Sequence, residues 1–166
     1  TSDPCPTSWA IAHDTVASGA TLGGTGSTAS AVTVNSGGFL APGTSIESFG
    51  VGSSTINGTL KIELNAGLGA IDVLNASGNL NIGSATVDFD VTGTPSAIAY
   101  VFATYGSLVG TFAPLNIIDL PANYTINYSY QGNQIALVQV PEPVTWTMLA
   151  VSMVSLIGFR RMRRCP

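Results

Sequence analysis

The sequence predicts an all-β fold: parallel β-helix or solenoid rungs, a C-terminal antiparallel β cap, and then one C-terminal transmembrane helix. Three observations predict it. Strand-like segments of a few residues recur at short intervals, with no crossover helix between them. The gaps are filled by Gly, Asn and Ser, the residues that supply tight corners. No sustained helical period occurs before residue 144.

Taken in order, residues 1–15 form an N-terminal segment and residues 16–93 the solenoid repeats. Segments 31–34, 39–41, 46–51 and 55–56 are too brief for sandwich strands but suit the faces of a coiling rung. Corners fall at Asn35, Gly37, Gly38, Asn57, Gly58, Asn75, Gly78, Asn79 and Gly83. Residues 59–64 alternate strictly, so Leu60, Ile62 and Leu64 share one face. Ile71 with Val73, and Leu80 with Ile82, repeat the pattern in shorter form. In residues 87–91, Val87, Phe89 and Val91 point inward, and Asp88 and Asp90 face solvent. Residues 94–139 form the cap, with strands at 97–104, 124–130 and 134–140, the last two a hairpin around Gln131, Gly132 and Asn133. Pro95, Pro114 and Pro121 interrupt it.

Charge is scarce, at 8% of 166 residues, and four of the five basic residues sit at the extreme C-terminus. Lys61 is the exception. An acidic outer region with one lysine excludes nucleic acid as a partner, since phosphate binding needs clustered Lys and Arg. Cys5 and Cys165 fall on opposite sides of a membrane in this reading, which forbids a bond between them within one chain. The chain begins at Thr1, so the expectation is a fragment or mature form with a signal peptide, and further rungs, upstream.

No catalytic constellation is expected, and no cofactor or metal. His13 and Asp14 read as surface residues of a frayed segment. The glycine-rich stretch 19–26 resembles a phosphate loop only until a strand, not a helix, follows it. Asp88 and Asp90 are paired acids of the kind glycoside hydrolysis uses, yet their place on an outward strand face reads as solvation. Tyr100, Tyr105, Tyr124, Tyr128 and Tyr130 are candidates for glycan stacking, and more simply for cap packing. Asn57, Asn75, Asn123 and Asn127 each open a glycosylation sequon, which chance explains in so Asn-rich a chain.

The tail, residues 140–166, carries the functional signal. Pro141, Glu142 and Pro143 precede an uncharged apolar run at 144–159, and Arg160, Arg161, Arg163 and Arg164 close it. Two prolines keep the tripeptide extended, the backbone form a protease needs. Sixteen residues of helix span about 24 Å, roughly one turn short of a bilayer core, a length suited to a transient stop. The arginines hold that end in the cytoplasm and leave the remainder outside.

This tail resembles the sorting signal of PEP-CTERM bacterial surface proteins. The resemblance implies an exosortase as partner, cutting at or near Pro141-Glu142-Pro143. It also implies the inner membrane as partner through the helix at 144–159, with Arg160, Arg161, Arg163 and Arg164 as the membrane stop, and it admits exopolysaccharide as a further partner. The stretch 37–93 resembles the last rungs of autotransporter-type β-helix passengers, through the turn from Gly38 to Gly43 and the rung from Asp72 to Gly78. There Asp72 is expected to cap a turn. Together these imply an exported structural or adhesive protein of the cell surface or extracellular matrix, not an enzyme. The alternative is the C-terminal part of a carbohydrate-active β-helix enzyme with its catalytic rungs upstream.

Overall fold

The computed structural model describes residues 13–141. Its strands follow the chain in a repeating three-step order. The first turn of the coil is β1 (His13–Val16), β2 (Thr21–Gly24) and β3 (Gly26–Ser27). The second is β4 (Ala31–Val34), β5 (Phe39–Pro42) and β6 (Ser48–Val51). The third is β7 (Ser54–Ile56), β8 (Thr59–Asn65), the short return strand β9 (Ala70–Ile71) and β10 (Val73–Ala76). The fourth is β11 (Asn79–Asn81), β12 (Thr86–Thr92) and β13 (Ala99–Thr104). The fifth begins with β14 (Ser107–Val109), a 3-10 turn at Pro114–Asn116 and β15 (Ile117–Ile118). A hairpin of β16 (Tyr124–Tyr130) and β17 (Gln134–Gln139) ends the described fold.

Three sheets result, each collecting one strand from every turn: β1-β4-β7-β11-β14, β2-β5-β8-β12-β15, and β3-β6-β10-β13 extended by β17 and β16. Strands of successive turns pair in parallel except where β17 lies antiparallel against β13; β16 with β17 and β9 with β8 are antiparallel too. The hairpin takes the third face of the fifth turn, where β17 lies against β13. Parallel pairing therefore continues through Ile118, past the boundary at residue 93 drawn from the sequence.

Inward residues stack in register from turn to turn. Leu22, Leu40, Leu60, Val87 and Ile117 form one aliphatic column through five strands; Val16, Val34 and Ile56 form another. Strand period two makes this possible, because alternate side chains all enter the same tube. The turns lengthen in residues as the coil proceeds. On the first sheet, the chain covers a much longer path from Asn79 to its partner Ser107 than from His13 to its partner Ala31. In the fourth turn Phe89 and Phe102 meet edge-to-face in the core with centroids 5.4 Å apart.

The fold-class expectation needs correction at its end. Among the described residues the helical element is the 3-10 turn at Pro114–Asn116, and no helix is long and apolar enough to cross a membrane. The chain that is described is strand and corner, arranged in open sheets. The transmembrane helix expected at 144–159 lies outside the described residues, as do Glu142, Pro143, Arg160, Arg161, Arg163 and Arg164.

Candidate functional site

A concavity of about 520 Å³ lies over the outward face of the sheet formed by β2, β5, β8, β12 and β15. Its floor is set by register. Lys61 on β8 sits opposite Asp88 on β12, and Glu63 sits opposite Asp90. These are the polar positions of the two strands whose apolar positions fill the core, so one alternation fixes both. Gly43 and Asp119 form part of the rim. The Lys61 ammonium lies over the Phe39 ring, 5.2 Å from its centroid, a cation–π geometry. Glu63 and Asp90 face each other as like charges across neighbouring strands, an arrangement that costs a little stability. No group of three or more His, Cys, Asp or Glu side chains among the described residues is arranged to hold a metal ion.

Asp72, at the inner wall of the groove, is a different kind of acid. It is only 2% exposed. The Glu47 N–H donates to Oδ1 at 3.0 Å and the Glu63 N–H donates to Oδ2 at 2.9 Å. The Asp72 N–H in turn donates to the Glu63 carbonyl at 2.9 Å. One carboxylate thus ties the start of β6, the middle of β8 and the start of β10. Burial pushes its pKa above the ordinary carboxylate value; the two backbone N–H groups pull it down, and the charges of Glu63 and Glu47 add to the rise. The sequence reading of a turn cap understates this, since the residue joins two turns of the coil.

The other sequence candidates are placed as follows. His13 and Asp14 are exposed but lie in β1, paired with Ala31 and Val32, and Asp14 accepts a hydrogen bond from the Thr28 hydroxyl at 3.3 Å. Asp88 and Asp90 share the outward face with Lys61 and Glu63. Four of the five tyrosines use their hydroxyls in the cap, and Tyr130 ends β16. Tyr100 Oη accepts from the Ser96 and Ala97 N–H groups, both at 3.2 Å. The Tyr124 hydroxyl donates to the Ala97 carbonyl at 2.6 Å, and that of Tyr105 to the Tyr128 carbonyl at 2.6 Å. Tyr128 Oη accepts from the Phe112 N–H at 3.1 Å. Tyr100 and Tyr124 are moreover buried, so their rings offer no open face for glycan stacking.

Of the processing tripeptide, Pro141 alone is described. It is exposed and follows the last ladder hydrogen bond, from the Val140 N–H to the Asn123 carbonyl at 2.7 Å. Sequence reasoning missed the Lys61–Phe39 pair and Asp119, because partners on successive turns or in separate corners leave no local pattern. The groove, the Asp72 staple and the exposed exit of the chain stand on their own geometry, for no family model, curated protein or solved structure matches the chain.

Proposed function

We propose that this chain is an exported structural or adhesive protein of the cell surface or extracellular matrix, sorted and cleaved by an exosortase at Pro141-Glu142-Pro143. The observation that carries the reading is the order of the tail: a proline-bracketed acid, an apolar run at 144–159, and Arg160, Arg161, Arg163 and Arg164. Basic residues resist translocation, so the apolar run engages the inner membrane while residues before it lie outside. Several features are consistent with a spacer or scaffold. The core is continuous along the coil, and the tyrosine hydroxyls named above are spent on the cap. Charged side chains are few among the described residues and gather on the outward face of β8 and β12. Pro141 leaves the cap exposed, where a processing enzyme has access to it.

The test is fractionation of cells making this chain with the tripeptide intact or replaced by alanines, followed by mass measurement of the surface product. The intact chain is expected to lose Arg160 to Arg164, with an end at or near residues 141–143, and the alanine variant to keep them. A surface product of the intact chain that retains the arginines refutes processing. A freely soluble full-length product refutes sorting as well.

A further inference from the structure

Exposed apolar side chains are unevenly distributed over the described residues. All seven large ones fall between Leu68 and Val140, and none lies earlier. A single exposed leucine needs no explanation, but four of these gather at one corner of the coil, around the point where the tail departs. Leu68, 77% exposed, sits in the turn after β8. The Ala66 N–H donates to the Thr92 carbonyl at 2.8 Å, which stacks that turn on the one after β12. There Ile98 is also 77% exposed, and its carbonyl accepts from the Gln139 N–H at 2.9 Å. The third corner, after β15, holds Leu120, and its Asn123 carbonyl accepts from Val140. A cleft of about 380 Å³ runs between the second and third corners, with Pro95, Pro121 and Gln139 among its walls.

Position decides what covers this corner. From Val140 to the start of the apolar run at Val144 are four residues, at most about 14 Å at ~3.6 Å each. Whatever surface takes up the apolar run therefore lies within reach of Ile98, Leu120 and Val140. The chemistry of the corner suits a bilayer interface. Residues 66–69, 93–98 and 119–123 contain one charged side chain, Asp119, whereas the neighbouring sheet face carries Glu63, Asp88 and Asp90.

We propose that the stacked corner carrying Leu68, Ile98, Leu120 and Val140 docks on the lipid surface beside the tail, holding the coil of the unprocessed chain in a fixed orientation on the membrane. This rests on the reading that the tail engages the membrane. Cleavage at the tripeptide then releases the corner as well as the tail, since four exposed side chains do not by themselves anchor a protein of this size.

The experiment uses the full chain, with Cys5 and Cys165 replaced by serine, bound to vesicles of phosphatidylethanolamine and phosphatidylglycerol. An environment-sensitive dye is placed at Ile98→Cys, at Leu68→Cys or, as control, at Ser36→Cys, an exposed site on an early turn. A quencher is carried on the lipid near the headgroup. The expected result is flotation of all three, with at least twofold stronger quenching at positions 98 and 68 than at 36. Flotation with equal quenching at all three positions overturns the docked corner and leaves the membrane-engaged tail intact. Failure to float refutes the tail reading and the docked corner with it.

Discussion

Replacing Asp72 with alanine removes, in one step, the acceptor for the Glu47 and Glu63 N–H groups, which belong to different turns of the coil. A buried donor left without a partner costs about 1–3 kcal/mol. Two such donors give about 2–6 kcal/mol, and two effects reduce it. The groove reaches Asp72, so water can replace part of the lost bonding, and the variant no longer bears the desolvation that raises the carboxyl pKa. The expected loss is about 2–4 kcal/mol, a shift of roughly 1–2 M in a urea midpoint at a slope near ~2 kcal/mol/M. Asp72→Asn keeps one carbonyl oxygen but turns an NH2 toward the other donor, so it should fall between wild type and Asp72→Ala. Proton linkage gives a second reading. The native carboxyl holds its proton more tightly than the unfolded chain, whose reference value is 3.8. Its contribution is therefore fully present below that value and lost as pH rises through the higher native value. Lowering pH across this window should stabilise wild type relative to Asp72→Asn. An alanine variant within about 0.5 kcal/mol of wild type, or an asparagine variant less stable than the alanine one, would refute the staple.

Three further outcomes are expected. Ser54 is buried between Val32 and Leu80 with no partner for its hydroxyl, so Ser54→Ala should stabilise by about 1 kcal/mol in the same denaturation assay. Tyr124→Phe leaves the Ala97 carbonyl short of a donor and should cost about 1 kcal/mol, read as earlier thermal loss of the cap, whereas Tyr130→Phe should be nearly silent. A Cβ at Gly58 runs into the Gly38 carbonyl oxygen of the preceding turn, so Gly58→Ala should destabilise by about 1–3 kcal/mol and lower the melting temperature.

Alternation makes the long strands legible. Residues 59–64 and 87–91 bury their apolar positions and turn Lys61, Glu63, Asp88 and Asp90 outward, as a period of two requires. The hairpin around Gln131, Gly132 and Asn133 is readable from its turn chemistry. Register is not, because partners lie a whole turn of the coil apart and that interval changes from one turn to the next. Bulges hide as well. The pairing of β13 shifts between Val101 and Ala103, so Phe102 and Ala103 are both fully buried, which no alternating pattern announces. His13 looks frayed in sequence because a four-residue strand with three exposed positions has almost no apolar signature; backbone pairing to β4 holds it. Asp72 is visible only as a polar residue near a turn, since its two donors come from segments 25 and 9 residues away. Nor does the sequence reveal that exposed apolar residues share a corner until the turns are stacked.

The progressive lengthening of the repeat, plain when the step from His13 to Ala31 is set beside that from Asn79 to Ser107, gives the described coil two unlike ends. Should a second molecule approach end to end, a short turn would meet a long one, and hydrogen bonding could continue on one wall only by breaking step on the others. A coil of constant repeat would offer itself as a template for endless filaments. Turns of unequal length do not, because a stacked copy could keep register on one sheet only by losing it on the other two.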